Sequence, residues 1–155
     1  MSLFPMAELV PHSGDMVLLD EVVRYDVDEV ETRVKVKAGG LFNQADGSLP
    51  AWLGVELMAQ SIAAFAGCHA READKPVALG FLLGTRKFEC NVEAFPLGAE
   101  LHIKALRSLQ DDNGMAVFEC HLNGPGIHAT ARLNVFQPPD ATQFLQESCE
   151  ATQHV

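Results

Sequence analysis

Cysteine, histidine and basic residues are sparse in this 155-residue chain, and none is grouped as a ligand set or a nucleic-acid stripe would require. The four cysteines, Cys68, Cys90, Cys120 and Cys149, include no Cys-x-x-Cys pair, which fits reduced thiols better than a disulfide framework. Cys68 and His69 are neighbours, as are Cys120 and His121. Adjacent residues on a strand point to opposite faces, so the second pair is poorly placed to chelate one metal. No metal and no cofactor is expected. With 11 Lys and Arg against 21 Asp and Glu, the formal net charge is −10, which excludes a duplex nucleic-acid binder. It leaves an acidic protein partner open, because docking depends on a local patch rather than on the total. The first residues lack the basic and long apolar segments of a signal peptide, and no stretch reads as a membrane span. A cytoplasmic protein is therefore expected. There is no internal repeat or low-complexity segment, and the length suits one domain with a full core.

What the chain does have is one long helical stretch, residues 50–72, in which nearly every residue before Arg71 is apolar or small. Apolar residues all round leave no face for water, so this predicts a buried central helix. Ser48 is placed to cap it, and Pro50 suits a first turn, where its missing N–H is not needed. Only two strongly polar side chains stand within it before the last turn. They are Glu56 and Gln60, one turn apart on the same face.

The rest reads as strands. Residues 16–25 are rich in β-branched residues, and residues 30–37 alternate Val and Thr with charged side chains. A loop over 41–49 leads into the helix. Beyond it, residues 77–90, 101–105, 115–122 and 128–136 form strands separated by turns at Pro96-Leu97-Gly98, Asp111–Gly114 and Asn123–Gly126, the pattern of antiparallel hairpins. The expected architecture is α+β, an antiparallel sheet long enough to curl round one helix. Residues 1–137 make the domain, and 138–155 form a polar tail. A sheet of this kind leaves an edge, which a homodimer joining two sheets would cover.

The order of motifs resembles a known family. Leu9–Val22, with Pro11-His12 near its start, resembles the "LLPHR-x-PFLLVDRV" opening of FabZ-type 3-hydroxyacyl-acyl carrier protein dehydratases. Pro50–Gln60 is similar to their "PGVLxxEAMAQ", with the same six-residue step from proline to glutamate. Gly80–Phe88 and Pro96–Leu101 resemble their "GxxKxRF" and "PGDxL" strands. The similarity spans residues 8–136, and among such proteins it is nearest the divergent ApeP-like dehydratases associated with aryl polyene pathways. It implies the hotdog fold, a curled sheet wrapped round one helix, working as a dimer with sites across the interface. One departure is plain. The family's catalytic histidine lies in the loop before the helix, and here residues 41–49 contain none.

Dehydration of a 3-hydroxyacyl thioester needs a base for the C2 proton and an acid for the departing C3 hydroxyl. The resemblance gives Glu56 the acid role; otherwise Glu56 staples the helix entrance to loop backbone. His12 is the substitute base, because the resemblance runs its segment along the substrate tunnel; otherwise it bonds locally. Helix-entrance N–H groups around Ala51 and Trp52, behind Pro50, are expected to hold the thioester carbonyl, as the resemblance implies of this backbone. Trp52 either reshapes the tunnel or packs in the core or a dimer interface. Phe42 is a further expected substrate contact, and the resemblance has Gln60 hydrogen-bonding near Glu56 or the substrate; otherwise it satisfies backbone across the dimer. His102, His121 and His128 fall on polar strand phases, and His69 is too far along the helix from Glu56. Arg86 and Lys87, and more weakly Lys104 and Arg107, are basic groups that could meet an acidic carrier protein or a coenzyme A phosphate.

Three functions remain in view. The first is a dehydratase acting on chains carried by acyl carrier protein or coenzyme A, in fatty-acid or aryl-polyene-type elongation. The others are a hotdog thioesterase and a catalytically silent subunit. The expected assembly is a homodimer, with a higher oligomer or a hetero-oligomer with a homologous hotdog or a ketosynthase as further options.

Overall fold

The computed structural model describes Met6, residues 17–74 and residues 81–136. Eight strands and one long helix occur in the order β1 (Glu21–Tyr25), β2 (Glu29–Lys35), β3 (Leu49–Pro50), α1 (Leu53–Glu72), β4 (Phe81–Cys90), β5 (Ala94–Phe95), β6 (Glu100–Gln110), β7 (Met115–Gly124) and β8 (Ile127–Phe136). Six strands form an antiparallel sheet in the order β1-β2-β6-β7-β8-β4, and β3 pairs with β5 in a separate two-stranded ladder.

Period-two patterning carries the large sheet. Leu101, Ile103 and Ala105 of β6, Phe118, Cys120 and Leu122 of β7, and Ala129, Ala131 and Leu133 of β8 point inward and are buried. Their alternates face solvent, so buried Cys120 and exposed His121 lie on opposite faces. Helix α1 packs across this inner face and touches every strand of the large sheet. One polar contact is enclosed with it. The Ser61 hydroxyl donates to the Leu57 carbonyl at 2.8 Å, so the Thr32 hydroxyl donates to Ser61 Oγ at 2.7 Å. Gly54 lets β4 and β5 approach the helix start, since a Cβ there would lie 3.3 Å from Phe88 and 3.5 Å from Phe95.

The tip of the β1–β2 hairpin is fastened to the far end of α1. Asp26 Oδ1 accepts the N–H groups of Asp28 and Glu29 at 2.8 and 2.9 Å. His69 Nε2 meets the Asp26 carbonyl at 2.8 Å, and Arg107 donates to the Val27 carbonyl at 2.8 Å while lying 5.4 Å from the Phe65 ring.

Several boundaries differ from the sequence reading. The helix begins at Leu53, and Trp52 is its N-cap without a side-chain capping bond. Ser48 instead bonds Asp46, and Pro50 pairs with Ala94 in β3. The β3–β5 ladder takes up the residues that had been assigned to the first turn. Strand β1 starts at Glu21, not at residue 16, because Val17–Asp20 is not strand. Residues 138–155 lie outside the described residues. No described helix is long and apolar enough to cross a membrane.

Candidate active site

The helix entrance is held from two sides. Ala51 N–H donates to the Glu93 carbonyl at 3.0 Å, just before β5, which fixes where the chain turns into α1. That donor is thus engaged, contrary to its expected role at a thioester carbonyl. The N–H groups of Trp52 and Leu53 follow it at the helix start, where backbone donors have no intrahelical acceptor and the helix dipole favours negative charge.

The loop ahead is a compact hydrogen-bonded knot. Asn43 Oδ1 accepts Gly40 N–H at 2.8 Å, Asn43 Nδ2 donates to the Gly47 carbonyl at 2.7 Å, and Gln44 N–H donates to the Ser48 carbonyl at 2.8 Å. Gly47 sits at φ 86° with Leu97 packed over it, a conformation that favours glycine. The loop's carboxylate, Asp46, accepts both the hydroxyl and the N–H of Ser48, which hold it below the usual carboxylate range. This histidine-free loop is held in shape by its own hydrogen bonds.

Phe42 of the loop meets Trp52 edge-to-face, with centroids 6.4 Å apart and planes at 82°. Trp52 is 63% exposed, so core packing does not explain it. Trp52, Glu56 and Gln60 are spaced at i, i+4 and i+8 and share one side of the helix. Glu56 is half-buried rather than enclosed, because the flank of α1 with Val55, Glu56, Ala59, Ala63 and Ala66 is only partly covered within this single chain.

Gln60 is fully buried and organises the site. Its Oε1 accepts Leu18 N–H at 2.9 Å, and its Nε2 donates to Glu56 Oε1 at 3.1 Å. The first bond settles which end of the amide faces the carboxylate. Glu56 Oε1 is therefore an acceptor of the Gln60 amide. Leu18 is the contribution that sequence reasoning missed, since a backbone donor leaves no mark in side-chain motifs. His12 lies outside the described residues; the described part of its segment, from Val17, reaches the site through Leu18.

Other groups lie elsewhere. His102, His121 and His128 are exposed on the outer face, and His69 is bonded to the hairpin tip. Lys104 pairs with Glu29 and Glu31, and Arg107 with Asp28. Arg86 and Lys87 are exposed on β4. Burial pushes the Cys68 thiol up to about 11 and that of Cys120 up to about 12, so both are protonated at neutral pH and unsuited to nucleophilic attack. Among the described residues no group of three or more His, Cys, Asp or Glu is placed to hold a metal ion.

Comparison with known proteins agrees with this geometry. The family model for ApeP-like proteins, described as ApeP dehydratase, matches residues 4–146. A solved structure titled the dehydratase heterocomplex ApeI:P from Xenorhabdus doucetiae contains a chain 36% identical to this one, with TM-score 0.82, covering 92% of this chain and 96% of that one. The PaaI protein of the Escherichia coli phenylacetic acid degradation operon aligns at 12% identity and TM-score 0.57, over 76% of this chain and 82% of that one. A hypothetical thioesterase with coenzyme A from Streptococcus pneumoniae aligns at 13% identity and TM-score 0.53, over 76% and 86%. The last two likenesses concern the fold alone, a sheet curled round one helix in the hotdog arrangement. A comparison with curated proteins found no match.

Proposed function

Because the chain belongs to the ApeP-like family of hotdog dehydratases, we propose that it takes part in removing water from a 3-hydroxyacyl thioester carried on acyl carrier protein, in aryl-polyene-type or fatty-acid chain elongation in the cytoplasm. The observation that carries this reading is the bond from buried Gln60 to Glu56, with the amide orientation fixed by Leu18. The Gln60 amide, itself oriented by Leu18, fixes where the Glu56 carboxyl stands beside the helix entrance. In the proposed reaction a base removes the C2 proton, and the C2–H electron pair forms the C2=C3 double bond. The C3–O bond breaks as the Glu56 carboxyl delivers a proton to the departing hydroxyl, which leaves as water. The N–H groups of Trp52 and Leu53 stabilise the charge that develops on the thioester oxygen. Phe42, Trp52 and Pro50 flank the acyl path. His12 is the proposed base, reaching the substrate from its own chain or across a subunit interface.

A second reading is favoured by the histidine-free loop at 41–49 and by the heterocomplex in which the related chain was solved. In it this subunit completes the tunnel of a related hotdog partner that supplies the base. One assay separates the readings. The purified chain, alone and with such a partner, is given a 3-hydroxyacyl-carrier-protein thioester, and enoyl product and free thiol are followed. Enoyl product from the chain alone supports the first reading, and enoyl product only from the pair supports the second. Free thiol without enoyl product overturns both in favour of a thioesterase.

A further inference from the structure

We propose that His121 and His128, on the outer face of the sheet and away from Glu56, form a two-imidazole site for a divalent cation of the zinc, nickel and copper group.

The placement follows from strand register. In the β7–β8 ladder His121 stands opposite Thr130 and Asn123 opposite His128, so the two histidines are diagonal neighbours on one face. Both are exposed, and their ring centroids lie 6.2 Å apart with planes at 35°. An ion of this group binds an imidazole nitrogen at about 2.0–2.1 Å, which sets it about 3.2 Å from the ring centre, so two rings on one ion have centres up to about 6.4 Å apart. The observed spacing is within that reach. A tilt of either ring closes the angle at the ion toward tetrahedral, where the centres stand about 5.2 Å apart.

One of the rings is already oriented as a ligand. His128 Nδ1 meets Asn123 Oδ1 at 2.7 Å. An amide oxygen only accepts, so Nδ1 carries the proton and the lone pair stands on Nε2. A bond of this kind from the second ring nitrogen is how ligating histidines are held. The backbone beneath the ring is fastened as well. His128 N–H donates to Asn91 Oδ1 at 2.8 Å, Asn91 N–H donates to the His128 carbonyl at 3.2 Å, and Asn91 Nδ2 donates to the Gly126 carbonyl at 3.0 Å.

The surrounding charges leave room for a cation. Lys104 lies directly opposite His121 on β6, but its Nζ is drawn toward Glu29 and Glu31 on β2, at 3.6 and 3.9 Å. Arg132 is paired with Glu119 at 2.9 Å. Glu89, opposite Thr130 on β4, adds negative charge one strand away. Two rings are fewer than the three-ligand cluster that is absent among the described residues, so water fills the remaining positions. An ion held there clips β7 to β8.

The probe is zinc chloride, titrated calorimetrically into full-length protein. His121→Gln and His128→Gln should each weaken binding by roughly tenfold or more, with the double variant no weaker than either, because a chelate is lost whole. Asn123→Ala keeps both rings and should still cost about 10–100-fold, as for a lost orienting bond. His102→Gln, on the other side of Asn123, should change nothing. In the wild type, which covers the case in which a substitution disturbs the strands, zinc should shift the ring resonances of His121 and His128 together and leave those of His102 in place. Unchanged affinity in either single variant, or losses that add in the double variant, overturns the proposal. So does an equal shift of every exposed histidine, which would mean an adventitious ion only. None of these measurements depends on turnover, so they stand apart from the dehydratase reading.

Discussion

Replacing Glu56 by Gln keeps the shape of the side chain but removes the transferable proton. Formation of enoyl thioester should fall by about 10²–10⁴, as for a lost general acid, with the melting temperature unchanged. Equal turnover would return Glu56 to a structural role at the helix entrance. Gln60 should behave differently. Gln60→Leu leaves the partly buried Leu18 N–H without its acceptor, at about 1 kcal/mol, the low end for an unsatisfied donor, so both melting temperature and turnover should drop. Gln60→Glu keeps the acceptor for Leu18, so it should recover more stability than Leu while placing a second carboxyl beside Glu56. Stability should thus be partly rescued, with the pH–rate profile displaced. The i, i+4 pair of polar residues in an apolar helix was legible in the sequence, because helical spacing alone places them together. A bond from Gln60 toward Glu56 was expected too, but which backbone group it holds was not legible, since that N–H lies forty-two residues away in the same chain.

Turn and ladder chemistry belong to the scale of elements, and the β1–β2 hairpin offers a test in acid. The N–H groups of Asp28 and Glu29 hold the Asp26 carboxyl below its ordinary value. A lowered folded value means that the contribution is present above the unfolded value, about 3.9, and is lost as pH falls through the folded one. Asp26→Ala should lower the melting temperature at pH 7 and converge with wild type in strong acid; parallel curves at every pH would show that the turn does not depend on this carboxylate. The strands of the sheet were readable because alternation such as Leu101, Ile103 and Ala105 against His102 and Lys104 has one physical meaning. The helix start was not. Ser48 and Pro50 carry local signals for a cap and a first turn, but pairing of Leu49 and Pro50 with Phe95 and Ala94 outweighed them, and that ladder spans a separation of more than forty residues. Such two-residue strands leave no periodicity to find.

At the scale of the whole molecule the sheet was expected, and so was the need to cover one edge of it. The difference between its two edges emerged only from strand order and from the lengths of β1 and β4. Hydrogen exchange should register that difference. Amides in β6, β7 and β8 should be the slowest to exchange, whereas the amides of β4 that face away from β8 should gain protection only when a partner subunit is added. Protection of those outward amides in dilute, unpaired chain would show that the edge is already covered. Having one ten-residue edge strand and one five-residue edge strand also limits growth. Strand-by-strand addition needs two long edges to propagate, so a second subunit that docks at β4 with its own long edge leaves only short ones for a third to extend. A pair formed in that way would be a terminated assembly rather than the start of a filament, and concentration should drive the protein toward a finite complex instead of a fibre.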